Sequence, residues 1–437
     1  MTEQTEPHAR RRQTVLEQLD RREAMVLPAA PEIVVGRDTE LRYIPDPDLW
    51  YLTGYPEPEA VAVLAPGADH PFTLFVRDRD PRQETWTGPR GGVPAATERY
   101  GADAAHPVGR LDRRLPELLQ DVDRIHFRLG TGRDDVERVV LDALRAGRHR
   151  RQRSGYGPAE LVDPGLLLDE MRLVKGPTEI DAIRDAVCLT IHGMRQGLAA
   201  ARDGAGEWEV EAAVNAAFRA GGGDGPGFAT IAASGPNACV LHHIANDRVM
   251  RDGELLLVDA GARLNAYNGD LTRTFPVGGT FTGPARNVYD IVAAANQAAI
   301  DAVRPGNTID DVHRAAATVL ATGAVELGLL TGDPADLVDD PDALRGYYPH
   351  RTSHWLGLDV HDVGTYAVAG QPRPLEPGMV LTIEPGLYIP AHHDDAHPDL
   401  RGLGVRIEDD ILVTANGAEN LSADLPTDAD RVASLTD

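Results

Sequence analysis

LLLVDAGARLNAYNGDLTRTFPV, residues 255 to 277, drives an apolar run straight into an acid, Asp259, and a later strand-like stretch opens on a second acid, Asp270. The design returns further along the chain. MVLTIEPGLY, from Met379, runs into Glu384, and GVRIEDDILVT, from Gly404, holds Glu408. An acid that ends Leu255-Leu256-Leu257-Val258 falls where the chain should be buried, and a lone buried carboxylate is costly or shifts its pKa. Four such acids converging repel one another, and multivalent cations are the ordinary remedy. The pattern therefore predicts a two-metal site.

Strand parity agrees. In GVRIEDDIL, Arg406, Glu408 and Asp410 share one face, while Val405, Ile407 and Ile411 share the other. A β-hairpin from Asp259 back to Asp270 would place both carboxylates at one end of neighbouring strands. HRTSHWLGLDVHD adds His350, His354 and His361, enough for one ligand and two polarising side chains. His242 and His243 form another pair just before the first hairpin. AHHDDAHPDL, residues 391 to 400, also looks ligand-rich, but no apolar run holds it rigid. It is expected not to bind metal in the native function.

Around these segments, helical spacing begins at KGPTEIDAIRDAVCLTIHGMRQGL, with Pro177 suited to a first turn. Helices are expected near 207–220, 284–303 and 309–327, with strand-like stretches up to Val277 and from Met379 to Thr414. Helices then strands, twice over, make a two-halved α+β domain. Before it, EAVAVLAPG, FTLFVRD and RIHFRLG read as strands, and RRRQTVLEQLDRRE and DVERVVLDALRAG as helices, which predicts an α/β domain. GRHRRQRSGYGPAELVDPG, from Gly147, is read as a solvated linker. The expected domains are 1–172 and 173–437.

A net charge of −25 disfavours nucleic acid and anionic membrane and suits cationic ligands. Hydrophobic content of 42% and charged content of 25% are ordinary globular values. Lys175 is the only lysine, which is read as compositional bias without bearing on function. Cys188 and Cys239 are too few for a disulfide framework and are expected to be small buried hydrophobes in a reducing compartment. No apolar run reaches the roughly 18 residues of a membrane span. The opening MTEQTEPHARRRQTVLEQL has no hydrophobic core behind its arginines, so it is not a secretory signal. Arg10, Arg11 and Arg12 are expected on the solvated face of a first helix. A cytoplasmic protein is expected.

On these blocks the chain strongly resembles the bacterial aminopeptidase P family, the Xaa-Pro aminopeptidases of the pita-bread metallopeptidase superfamily. LLLVDAG, YNGDLTRTFPV, HRTSHWLGLDVHDVG, VLTIEPGLY and GVRIEDD match the family's metal-binding blocks, and DPDLWYLTGYPEPEAVAVL resembles its N-terminal domain. The resemblance implies an α/β N-terminal domain ahead of an α+β pita-bread catalytic domain with pseudo-two-fold halves. It implies five ligands, Asp259, Asp270, His354, Glu384 and Glu408, for two divalent ions, manganese being usual in the family. It implies His242, His361 and Glu384 as catalytic, and His350, Arg406 and Tyr388 as lining the substrate site. The implied reaction releases the first residue of peptides with proline second, by attack of a hydroxide shared between the metals on the Xaa-Pro carbonyl. Dimers or tetramers are implied as well. The rival readings are a prolidase acting on Xaa-Pro dipeptides, a metal-free creatinase-like hydrolase, and a non-catalytic binding module.

Overall fold

The computed structural model describes residues 6–281, 283–340 and 342–436. Residues 1–5 of the opening segment, judged above not to be a signal, lie outside that description. The chain divides into two compact units, Met1–Leu168 and Asp169–Asp437.

In the first unit a six-stranded mixed sheet has the spatial order Ala104–Pro107, Phe72–Val76, Val61–Leu64, Glu23–Pro28, Arg124–His126, Glu160–Val162. Val26, Phe75 and Ile125 bury against Leu115 and Leu119 of helix Leu111–Leu119 and Val136 and Val140 of helix Asp134–Ser154. Removing that apolar surface from water is what holds the layers together. Pattern reading misses the strand Glu23–Pro28. The first helix, expected to reach Glu23, ends at Gln18, and the short run AMVL hides behind the charges before it.

Two further expectations fail here. Arg11 and Arg12 are not on a solvated face. Arg12 is buried and donates to the Leu52 carbonyl at 2.7 Å, and Arg11 donates to the Tyr51 carbonyl at 3.1 Å. Both carbonyls end helix Pro47–Thr53, whose unpaired oxygens favour cations. Nor is Gly147–Gly165 a linker. Helix Asp134–Ser154 carries its first half, with acids in the first turn and Arg151 and Arg153 in the last, the polarity the helix dipole favours. A short strand, Glu160–Val162, follows within the remainder. A Cβ added to Gly147 would stand 2.3 Å from the Pro158 carbonyl, so this glycine marks close packing rather than a loop.

In the second unit, helices Pro177–Ala200 and Glu207–Ala220 precede a three-stranded antiparallel sheet of Ile231–Ser234, Leu255–Ala260 and Leu271–Pro276. Helices Gly283–Ala302 and Ile309–Glu326 then precede Val380–Ile383, Asp409–Thr414 and Gly417–Asn420. The expected alternation of helices and strands is present twice. Thr308 starts the fourth of these helices with a reciprocal box, accepting from the Asp311 N–H while Asp311 accepts from Thr308.

Two registers set up the site. Asp259 lies opposite Thr272, so Asp270 falls just before the returning strand. Ile383 lies opposite Asp409, so Glu384 and Glu408 leave neighbouring strand ends together. The first turn-back is tight, because a Cβ on Gly261 would stand 1.9 Å from the Gly269 carbonyl. Neither cysteine is the core residue expected. Both are free, Cys188 exposed and Cys239 half-buried. Among the described residues no helix is long and apolar enough to cross a membrane.

Candidate metal centre

The strand ends deliver their acids to one place. Asp270, His354 and Glu408 each offer a ligand atom, all within 4.8 Å of one another. His354 Nε2 lies 3.4 Å from Asp270 Oδ2 and 3.7 Å from Glu384 Oε1. Asp259 stands close enough that its charge acts on Asp270, Glu384 and Glu408 alike. The structure thus gathers Asp259, Asp270, His354, Glu384 and Glu408.

Hydrogen bonds orient each group. His354 Nδ1–H donates to the Trp355 carbonyl at 2.9 Å, which holds the ring with Nε2 facing the carboxylates. The Thr272 hydroxyl donates to Glu408 Oε2 at 2.6 Å, and the Asp270 N–H donates to Asp410 Oδ2 at 2.9 Å. Arg406 donates to Asp259 Oδ2 at 2.5 Å and to the Tyr388 hydroxyl at 3.2 Å. Tyr388 in turn donates to His350 Nε2 at 2.8 Å, and His350 Nδ1–H ends on the Arg351 carbonyl at 2.9 Å. The substrate-lining trio of the sequence reading is therefore one polar chain fastened to Asp259.

The electrostatics expose a shortage of positive charge. Burial pushes the Asp270 carboxyl up to about 6, although the hydrogen bond from His354 pulls it down. Burial pushes Glu384 up to about 7, against the pull of His354 and Arg406. Glu408 and Asp410 rise well above the carboxylate range, first by burial and then by the charge of Asp270. His354 moves the other way from an isolated buried ring: burial lowers it, but Asp270 and Glu384 outweigh that and raise it to about 9. Asp259 Oδ1 and Asp410 Oδ1 are buried without a hydrogen-bond partner. Five acids around one guanidinium and one imidazole, with oxygens left over, form an oxygen-rich donor set suited to hard or borderline divalent cations.

The remaining histidines line the rim. His361 is exposed, with its ring centroid 4.3 Å from that of His354; burial and the His354 charge lower its pKa. Burial lowers His350 to about 4. His242 is exposed and its charge acts on both His350 and His361, so it faces the same space. Its neighbour His243 turns away, with Nε2 3.0 Å from Glu207 Oε2.

A second trio, Glu207, His243 and Asp247, also falls within ligand distance. There the Glu207 carboxylate already accepts from the Ser234 N–H and hydroxyl, the Asn237 amide and the Arg248 N–H. A carboxylate ringed by donors has its lone pairs already taken and offers little to a cation. In the 391–400 insert His392, Asp394, Asp395 and His397 are exposed, and no trio forms there among the described residues.

Sequence reading put Asp410 on the Glu408 face without giving it a part in the site, and overlooked Thr272 and Arg273. Arg273 is fully buried and donates to the Glu408 carbonyl at 2.6 Å and to Asp409 Oδ1 at 2.6 Å, fixing the strand end that holds Glu408. The available signal was a charged residue inside LTRTFP, a run otherwise fit for burial.

Comparison with known proteins bears on both units. Residues 181–415 match the model of metallopeptidase family M24, and residues 8–126 match that of the aminopeptidase P N-terminal domain. The chain is 40% identical over 430 residues to an Xaa-Pro aminopeptidase of Escherichia coli, covering 98% of this chain and 96% of that one. It is 37% identical to Xaa-Pro aminopeptidase 1 of Streptomyces coelicolor over 94% of this chain and 83% of that one. Among solved structures it is similar to the Pseudomonas aeruginosa aminopeptidase PepP, with a TM-score of 0.95, 40% identity, and coverage of 99% and 98%. A glutamate-to-alanine variant of Escherichia coli aminopeptidase P in complex with substrate superposes with a TM-score of 0.94 at 39% identity, covering 99% of this chain and 98% of that one.

Proposed function

The chain belongs to metallopeptidase family M24, with the aminopeptidase P N-terminal domain ahead of a pita-bread catalytic domain, and we propose that it releases the first residue from peptides whose second residue is proline. The observation that carries this reading is the cluster of buried acids short of positive charge, in a chain alike from end to end to Xaa-Pro aminopeptidases. A prolidase restricted to dipeptides is the second reading. Against it stands the match of residues 8–126 to the aminopeptidase P domain.

Asp259, Asp270, His354, Glu384 and Glu408 would hold two divalent cations, manganese by the chemistry of an oxygen-rich set with one imidazole. When bound, such ions acidify a water and polarise a carbonyl oxygen near neutral pH. The chain's own groups do the rest. Glu384, whose Oε1 lies 3.7 Å from His354 Nε2 inside the ligand set, takes and returns a proton at its Oε atoms. His361, kept neutral by its lowered pKa, offers an N–H to the oxygen that gains charge, and His242 faces the same space. Proline's nitrogen has no hydrogen and is a poor leaving group until it is protonated, and Glu384 gives it the proton taken from the attacking water. Tyr388, held between Arg406 and His350, gives the ring of proline a rigid wall.

A cytoplasmic location fits the free cysteines. A homodimer or homotetramer fits the exposed Ile33, Val34, Val35 and Leu41 around the small hairpin of the first unit. The deciding assay compares an Xaa-Pro-Xaa tripeptide with an Xaa-Pro dipeptide. Turnover of the tripeptide is expected, and turnover of the dipeptide alone would establish the prolidase reading instead.

A further inference from the structure

Arginine supplies nearly all the basic charge of this chain, and Lys175 is the single lysine. It is buried, at 4% exposure. Its ammonium donates to Asp362 Oδ2 at 2.9 Å and to the Leu173 carbonyl at 3.3 Å. Arg172 donates to the other oxygen of the same carboxylate at 2.6 Å and to Asp359 at 2.7 Å. Burial works against an ionised Asp362, but the charges of Lys175 and Arg172 outweigh it and hold the carboxyl below its usual range.

Asp362 directly follows His361. Its N–H donates to the Trp355 carbonyl at 2.9 Å, which closes the turn between His354 and His361. The Asn268 amide fastens the same turn through the Gly357 and Leu358 carbonyls. The ion pair therefore grips the turn at the residue next to the exposed histidine. Space there is tight: a Cβ on Gly357 would stand 2.2 Å from Asp362 Oδ2 and 3.1 Å from Lys175 Cε. A compact ammonium fits such a gap, whereas a planar guanidinium fork needs more width and more acceptors than the site offers.

We propose that Lys175 is a positioning residue for peptide hydrolysis: through Asp362 it fixes the turn that presents His361 to substrate, and arginine cannot replace it. This rests on the role given to His361 above. The test uses the full-length, metal-loaded protein and the variants Lys175→Arg, Lys175→Met and Asp362→Asn, each also made in a His361→Ala background. Tripeptide kcat and KM, melting temperature and metal content are measured for all.

Lys175→Arg is expected to keep its metal and to lose kcat about tenfold or more, with KM moving less than about twofold. In the His361→Ala background the same change is expected to cost less than about twofold, because the two residues act through one contact. Asp362→Asn should show the same coupling and stands in if a lysine variant does not fold. Wild-type kcat in Lys175→Arg, equal losses in both backgrounds, loss of metal, or failure of all three variants to fold would each overturn the proposal. An unchanged kcat in His361→Ala alone would instead remove the role given to His361, and the proposal with it.

Discussion

Asp362 and Glu408 are both buried carboxylates of the second unit, and their surroundings are opposite. Asp362 has an ammonium and a guanidinium in contact and stays ionised. Glu408 has the Thr272 hydroxyl for company, while Asp270, Glu384 and Asp259 push against its charge and Arg406 only partly relieves it. Asp409, its neighbour in sequence, is paired with Arg273 as Asp362 is paired with Lys175. The fold is thus able to neutralise a buried acid where the acid serves structure. At the strand ends it leaves the counter-charge short, so those acids must take up either protons or cations from outside the chain.

The contrast breaks most visibly at the acids themselves. Asp270→Ala is expected to lower kcat on an Xaa-Pro-Xaa tripeptide by at least about a thousandfold, more than the loss of one stabilising donor costs. Steady-state kinetics with excess divalent metal check it, and a loss under tenfold would put Asp270 outside the reacting centre. Thr272→Val keeps the shape of the side chain and removes the hydroxyl that orients Glu408. A fall of about 10–100-fold in metal affinity is expected, as for other groups that orient ligands, and calorimetric titration reads it.

A third prediction concerns pH. Asp270 and Glu384 have ordinary values of 3.8 and 4.5 and rise to about 6 and about 7 in the fold. The folded state then binds more protons than the unfolded state between those values, so stability falls as pH rises through that window. His354, raised from 6.5 to about 9, binds its proton more tightly when folded and adds a further fall as pH approaches 9. The metal-free protein should therefore melt lower at about pH 8 than at about pH 5, and added manganese should raise its melting temperature by several degrees more at the higher pH. Equal metal-induced shifts at both pH values would contradict the origin given to those raised pKa values.

The smallest effect is expected at the 391–400 insert, which resembles a ligand cluster in sequence only. His392→Ala combined with His397→Ala should change kcat and metal content by less than about twofold, as for other exposed substitutions.

Much of the centre is legible in sequence because the physics is local. An acid that ends an apolar strand announces its own cost, as Asp259 and Glu384 do. What is not legible depends on partners met through space. Nothing near Thr272 or Asp410 in the chain shows that one holds Glu408 and the other the Asp270 backbone. Lys175 reads as compositional bias until Asp362 is seen against it. In the first unit the arginines of Gly147–Gly165 look like loop composition, although they extend a helix whose glycine is there for packing. The strand Glu23–Pro28 hides for a related reason: its apolar run is short, and its pairing partners lie far along the chain.

The central claim is that the uncompensated acids await two divalent cations on which peptide cleavage depends. Its most direct test strips the protein with chelator, then titrates manganese back while bound metal per chain and tripeptide hydrolysis are followed together. Loss of activity on chelation and its return as about two ions bind per chain is the expected result. Full proline-directed cleavage from protein holding no metal would contradict the account.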